Sequence, residues 1–222
     1  MMDLQQTMQE RHSVRAYTDQ PLSDDAKAVL QEKIAQVNAE GGLHIQLVCD
    51  EPRAFDGFLA HYGKFSGVRN YLAMVGPKGD DLSEKVGYYG EQLVLLAQQL
   101  GLNTCWVALT YSKVASAYAV GEGEKLSVVV ALGYGATQGV AHKSKAPADV
   151  SQTSGEAPAW FERGVQAALL APTAMNQQKF RLELDGERVH ATSGLGFYTK
   201  IDLGIVKLHF ELAAGRENFT WA

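Results

Sequence analysis

Blocks of apolar and polar positions along the chain switch between helical and extended periods. Pro21-Leu22-Ser23-Asp24-Asp25 sets a capping residue and two acids at a helix start. Ala26, Val29, Leu30, Ile34 and Val37 then keep helical spacing until Gly41-Gly42. Ile45, Leu47 and Cys49 take every second position, which predicts a strand closed by Asp50-Glu51-Pro52. A short apolar strand follows at Tyr71–Val75, ended by Gly76-Pro77. From Tyr88 to Leu100 nearly every face is apolar, so this segment reads as a central helix closed by Gly101. Cys105–Leu109 is a further extended segment, and the β-branched run Ser127–Leu132 is of the kind buried on both faces. Residues 139–157, rich in Gly, Ser, Pro and Lys, form the longest connector.

After that connector the pattern starts again. Pro158 suits a first helical turn, and Trp160, Phe161, Val165, Ala168 and Leu169 make an apolar face before Pro172. A strand at Phe180–Leu184 closes at Asp185-Gly186, and a last helix covers about 203–214 before Gly215. Gly90 and Gly204 each precede an apolar helix, and Gly101 and Gly215 each end one eleven residues later. GLNTCWVA at 101–108 parallels GRENFTWA at 215–222. The order helix, strand, connection, apolar helix, glycine, extended tail thus occurs twice, which favours an internal duplication with repeats at about 20–138 and 156–222 of one domain.

Composition narrows the function. The 222 residues are 46% hydrophobic and 20% charged, the balance of a globular chain with a core. A net charge of −5 argues against a general nucleic-acid or membrane-surface binder. Cys49 and Cys105 are too few for a disulfide framework, and six scattered histidines give no metal-ligand spacing. The polar start, MMDLQQTMQERHS, does not read as a secretory signal, and the stretch 88–109 is too interrupted by Glu and Gln to span a membrane. The expected compartment is the cytoplasm.

Four segments carry possible chemistry. In Arg11-His12-Ser13-Val14-Arg15 two guanidiniums bracket an imidazole and a hydroxyl, a set suited to phosphate and polyol oxygens. Ala171-Pro172-Thr173-Ala174-Met175-Asn176-Gln177-Gln178 runs from small residues to amides, so a flat ligand could approach the backbone and bond through its polar edge. Gly133-Tyr134-Gly135-Ala136-Thr137-Gln138-Gly139 has GxGxxxG spacing with no amphipathic helix after it, and is not a dinucleotide fingerprint. The cations beyond it, Lys143 and Lys145 beside His142, could hold a phosphate. Gly101-Leu102-Asn103-Thr104-Cys105-Trp106 is a tight helix exit leading to an indole. Cys105 lacks a sequence-adjacent His–Asp pairing and reads as a small buried residue rather than a nucleophile.

In this order the four segments resemble the FMN-dependent nitroreductase family. Its opening Arg-Arg/His-Ser-x-Arg/Lys segment, which binds flavin phosphate and ribityl, is matched position by position by Arg11–Arg15. Its Ala-Pro-Ser-x-x-Asn-x-Gln-Pro-Trp loop, which lies on the isoalloxazine ring, is similar to residues 171–180, with Lys179 for Pro and Phe180 for Trp. Gly101–Trp106 resembles the family's Gly-Leu-Gly-x-x-Trp segment at the flavin's redox edge, through Thr104, Cys105 and Trp106. Gly133-Tyr134-Gly135 with Lys143 and Lys145 resembles its late Gly-Tyr-Pro strand end. In ordinary members the Pro-Ser loop follows the first helix. Here the residues after that helix, 38–43, have lost the Pro, and the loop follows the helix of the second half. This is similar to a divergent subgroup with two repeats in one chain.

The resemblance implies an α+β fold with a central, mostly antiparallel sheet flanked by helices and a pseudo-twofold duplication. It implies FMN as the cofactor, held by Arg11, His12, Ser13, Arg15, Lys64, Thr104–Trp106, Lys143, Lys145 and Pro172–Asn176. His12, Arg15 or Lys64 would stabilise negative charge at the flavin's pyrimidine edge. The implied partners are NADH or NADPH and a small electron-poor acceptor such as a nitroaromatic or quinone. No protein acid or base is needed, since the cofactor carries the reagent. Alternatives are a flavin-binding or delivery protein without turnover, and an enzyme acting on reduced flavin itself. With the Arg-rich segment in one repeat and the loop in the other, one flavin per chain and a sufficient monomer are expected.

Overall fold

The computed structural model describes residues 3–222, which form two compact units: Arg11–Leu82 with Leu93–Ala141, and residues 3–10 with Ser83–Gln92 and His142–Ala222. The elements of the first of these are α2 (Asp24–Gly41), β1 (Gln46–Val48), α3 (Phe58–Tyr62), β2 (Asn70–Pro77), β3 (Asn103–Val107) and β4 (Glu124–Gly133). The second unit holds α1 (Leu4–Glu10), α5 (Pro147–Val150), β5 (Ser151–Thr153), α6 (Ala159–Ala168), β6 (Phe180–Asp185), β7 (Arg188–Ser193), α7 (Thr199–Ala214) and β8 (Thr220–Trp221). Helix α4 (Leu82–Gln99) gives residues to both.

In the first unit the capping residue acts as its position foretells. The Ser23 hydroxyl accepts the Ala26 N–H at 3.1 Å, Asp24 and Asp25 complement the helix dipole, and Gly42 ends α2 at φ 62°. The sheet order is β1-β2-β4-β3 with every pair antiparallel. The β-branched run of β4 lies between two partners and is buried from Val128 to Leu132. One sheet face carries Val48, Tyr71, Ala73, Val75, Cys105, Val107, Val129 and Ala131 under Phe55, Phe65 and Tyr111. Leu132 joins Leu22, Ala26 and Leu30 of the α2 region with Ala97 and Leu102.

The other unit holds a mixed sheet in the order β5-β6-β7-β8: β6 and β7 form an antiparallel hairpin, while β5 and β8 add in parallel at its edges. Helices α6 and α7 pack through Gly164, where a Cβ would come within 2.5 Å of the Phe210 ring. Phe210 sits among Trp160, Phe161, Phe219 and Trp221, with Trp160 stacked on Phe219. The α+β class and the mostly antiparallel pairing stand, with the strands divided between two four-stranded sheets.

Several boundaries differ from the sequence reading. Helix α4 begins six residues before Tyr88, since its first turns are polar outside and show little apolar signal. Helix α7 begins at Thr199, because its first turn buries the polar Thr199 and Asp202, which interrupt the apolar pattern in the sequence. The strand expected at Cys105–Leu109 is β3, two residues earlier, where Asn103 and Thr104 find partners on β4. The connector 139–157 contains α5 and β5, a strand too short and polar to announce itself. In each half a helix ends at a positive-φ glycine before a strand, Gly101 at φ 76° and Gly215 at φ 82°, whereas α3 between β1 and β2 and β4 after β3 have no counterpart in the second half.

Within the second unit the first half of α4 crosses α7 through two glycines. A Cβ on Gly87 would lie 2.0 Å from the Ile201 carbonyl oxygen, and one on Gly204 would lie 2.0 Å from that of Glu84. Alanine ordinarily stabilises a helix interior by about 1 kcal/mol relative to glycine. Here Gly87→Ala and Gly204→Ala should each destabilise instead, by about 1–3 kcal/mol or more from overpacking. Thermal melts read this directly; an alanine variant at either position that melts at or above the wild type would contradict the crossing.

Candidate functional site

The sequence-derived candidates divide between the two units. In the first, the segment after Glu10 runs beside β3. The Val14 N–H donates to the Thr104 carbonyl at 3.0 Å, and Ser13 bridges Thr104 in parallel. Tyr17 fastens the segment from behind: its buried hydroxyl donates to the Val14 carbonyl at 2.8 Å, with the Ala131 carbonyl at 3.4 Å. The Arg15 carbonyl accepts from the Ser66 N–H at 3.0 Å, and the Arg15 guanidinium lies 5.8 Å above the Phe65 ring. Lys64, exposed and at φ 63°, directly precedes that ring. The first and fourth sequence motifs therefore meet: Ser13 and Arg15 gather about the start of β3 with Thr104 and Cys105, while Lys64 adjoins Phe65, over whose ring the Arg15 guanidinium lies. Arg11 is buried at 3% exposure, His12 is half-buried, and Trp106 is half-buried further along β3.

The glycine segment closes over the same place. Gly139 passes so near His12 that a Cβ would meet the His12 Cβ at 2.8 Å, and at φ 72° only glycine sits there without strain. Asn103 fixes the approach: its Oδ1 accepts the Gly135 N–H at 3.0 Å and its amide donates to Gln138 at 3.1 Å. The glycines are thus packing residues beside the Arg11–Arg15 segment. The helix exit at 38–43 is an ordinary capped turn, with Asn38 exchanging hydrogen bonds with the Ile45 backbone at 2.8 and 2.9 Å.

The second unit holds Lys143, Lys145 and the loop after α6. Three non-glycine residues of this loop are left-handed: Met175 (φ 53°), Asn176 (φ 53°) and Gln178 (φ 45°). Each costs roughly 1 kcal/mol or more, so the loop keeps this shape only because its surroundings impose it. The imposing contacts are polar. Asn176 donates to the Lys143 carbonyl at 2.8 Å and accepts from the Gln178 amide at 2.8 Å. The Gln178 amide also donates to the Lys143 carbonyl at 2.9 Å, and its Oε1 accepts the Lys145 N–H at 2.8 Å. The Lys145 ammonium donates to the Gln178 carbonyl at 2.8 Å, and Thr173 Oγ1 accepts the Gln178 N–H. Lys145 and Asn176, expected to touch a ligand, therefore serve the loop's own shape in this structure. Pro172 is buried and Thr173 and Ala174 are half-buried, while Met175 stands at the tip, 97% exposed.

Sequence reasoning missed what lies under this loop. Asp202, in the first turn of α7 and 4% exposed, accepts the Ala174 N–H at 2.9 Å and the Gln177 amide at 2.7 Å. Burial raises its carboxyl from the usual 3.8 to about 6, although both hydrogen bonds pull the other way. Gln177 donates also to the Phe197 carbonyl at 2.9 Å, and Lys179 to that of Leu195. Leu195 and Phe197 are 95% and 83% exposed, so two tethered loops present Met175, Leu195 and Phe197 to solvent. A single acid in the apolar run Ile201–Val206 was the available signal. Among the described residues no cluster could hold a metal ion, and no helix is long and apolar enough to cross a membrane.

The comparisons agree with this architecture. A family model described as "Putative TM nitroreductase" matches residues 3–214. Over 97% of this chain and 85% of the other, the fold superimposes on a "putative nitroreductase" from Thermotoga maritima MSB8, with a TM-score of 0.69 at 21% identity. A nitroreductase-like protein from Desulfovibrio desulfuricans, solved in complex with FMN, matches with a TM-score of 0.52 at 18% identity, over 65% of this chain and 93% of its own. No curated protein matches the chain.

Cys105 lies at the centre of the first set, so its chemistry is worth fixing. It is 3% exposed, and burial pushes its thiol above the usual value despite Arg15 and the Ser13 hydroxyl. The neutral thiol is a poor nucleophile. In the native protein at neutral pH, Cys105 should stay unmodified by iodoacetamide and react only after denaturation, as followed by mass spectrometry. Rapid native alkylation would contradict this and make it a candidate nucleophile.

Proposed function

The chain belongs to this nitroreductase family, and from that premise we propose that it is an FMN-dependent oxidoreductase. Bound FMN would supply two-electron chemistry, accepting hydride from NADH or NADPH and passing it to electron-poor acceptors such as nitroaromatics or quinones. The observation that carries the reading is the meeting of Arg11–Arg15 with the start of β3 in one unit.

The residues there suit the group. Arg15 and Lys64 are exposed cations able to bond phosphate or a negatively charged ring edge. The Ser13 hydroxyl and His12 offer donors for ribityl or carbonyl oxygens. Tyr17 and the Gly139 approach fix the segment where it pairs with β3, so its donors are held in place before a ligand arrives. A buried, neutral Cys105 leaves the chain without a competing nucleophile at this point. In the other unit the strained loop at 171–178, with Met175 outermost, is suited to apolar contact with a flat ring. The reading includes an internal duplication, a cytoplasmic setting, one flavin per chain and a monomer sufficient to bind it. The segment before α6, residues 151–156, has no Arg or His from which to build a second phosphate site.

Arg15→Ala and Lys64→Ala remove exposed side chains, so neither should disturb folding. Whichever meets the phosphate should weaken FMN binding by about 1.5–3 kcal/mol, the range for charge-assisted hydrogen bonds, and leave riboflavin binding unchanged. Titration calorimetry with both flavins, run beside light scattering and a flavin count, tests the site and its stoichiometry together. Absence of FMN binding by the wild type overturns the proposal, and flavin lost on dilution of a dimer overturns the monomeric site.

A further inference from the structure

Two loops of the second unit, 171–178 and 194–198, hold four left-handed non-glycine residues, Met175, Asn176, Gln178 and Tyr198, and the only regular backbone bonding within the first is one 3-10 turn at Ala174–Asn176. One side chain is common to both. Asp202 accepts the Ala174 N–H on Oδ1 and the Gln177 amide on Oδ2, and the same Gln177 nitrogen reaches the Phe197 carbonyl. Without that carboxylate, Gln177 has no reason to lie between the loops, and the exposed Met175, Leu195 and Phe197 lose their common support.

We propose that Asp202 is a positioning residue: its ionised carboxylate clasps the 171–178 and 194–198 loops together, and its protonation releases them. The role of the first loop toward flavin rests on the reading above; the clasp does not.

The chemistry is one of donor and acceptor count. An ionised carboxylate only accepts, and here both oxygens face donors. Protonation converts one oxygen into a donor facing a donor, so either Ala174 or Gln177 must turn away. The charge that makes the clasp is expensive to bury. The ionisable groups on the elements around it are Tyr198 at the start of α7, Lys200 within its first turn, Lys179 at the foot of the loop, and the Glu84–Lys207 pair where α4 meets α7. None offsets the burial, which leaves the carboxyl at about 6. The sign follows. A folded value raised above the unfolded one favours the folded state below pH 3.8, and that benefit is lost as pH rises through about 6. At neutral pH the chain therefore keeps a buried charge that lowers its stability, in return for loop shape.

Stability and loop order should thus separate in one variant. In Asp202→Asn the amide oxygen can still accept from Ala174, but its NH2 meets the Gln177 NH2. Gln177 must turn, giving up Phe197. Amide hydrogen exchange of the flavin-free protein over 194–198, corrected for intrinsic rates, should be about tenfold faster in Asp202→Asn than in wild type at neutral pH, the worth of one such bond. Its melting temperature there should be equal or higher, because the buried charge is gone. The wild type should approach the variant's exchange as pH falls through about 6, while the variant shows no such step. Asp202→Glu, which keeps the charge, should restore the step. Unchanged protection in Asp202→Asn, or a melting temperature that falls with it at every pH, would overturn the clasp. FMN affinity on the same samples separates the two readings: loosened loops with unaltered affinity keep the clasp and remove the loop from the flavin site.

Discussion

The close crossing of α4 and α7 is the constraint from which the loop-bearing unit is built. Two backbones can come this near only where both lack a Cβ, and Gly87 and Gly204 face the carbonyls of Ile201 and Glu84 in reciprocal fashion. Little more than one turn on, the His209 ring sits fully buried, with one nitrogen 3.0 Å from the Glu91 carboxylate and the other 3.2 Å from the Ala167 carbonyl of α6. Three helices therefore meet at one imidazole. Such a buried pair is weak evidence of net stabilisation, but losing one partner strands a charge or a donor at a cost of about 3–5 kcal/mol. Asp202 lies two residues before Gly204 on the same helix, so the carboxylate that reaches the 171–178 loop sits beside the crossing.

In the other unit the corresponding constraint is edge pairing. The Arg11–Arg15 segment forms no long strand; it is held by single bridges to Thr104 and to residues near Phe65 and Gly135. Few backbone bonds and one buried tyrosine hydroxyl suffice because Val14 and Tyr17 are in the core. The result is a polar segment with a fixed backbone and side chains that differ in exposure. Arg11 turns inward, while Arg15 faces solvent.

How much of this was legible depended on whether the physics was local. Ser23, Gly42 and Gly101 signal helix ends through caps and dihedrals that any sequence window contains, and those ends were found. The β4 run was read correctly because β-branched residues buried on both faces leave a continuous apolar signature. Strand β5 escaped because it is three residues long and depends on β6 for its partner, and β7 escaped because Val189 is its one fully buried apolar position; β8 falls within the tail read as extended. The motif Arg11–Arg15 and the start of β3 could be paired only by the resemblance, since their contact spans the whole first half. Asp202, Gln177 and the His209–Glu91 pair were hidden because their partners lie 25 to 118 residues away. The part that Asn176 and Lys145 take in the loop's own hydrogen bonding could not be read from composition, because their partners lie 33 residues away.

The central claim is that the fold holds a redox-active flavin. Purified protein incubated with FMN, freed of excess cofactor and titrated anaerobically with NADH and then NADPH tests it most directly. The expected result is retained yellow colour that at least one nicotinamide bleaches stoichiometrically, and that returns when a quinone or nitroaromatic is added. Colourless protein, or bound flavin that neither nicotinamide reduces, would contradict it.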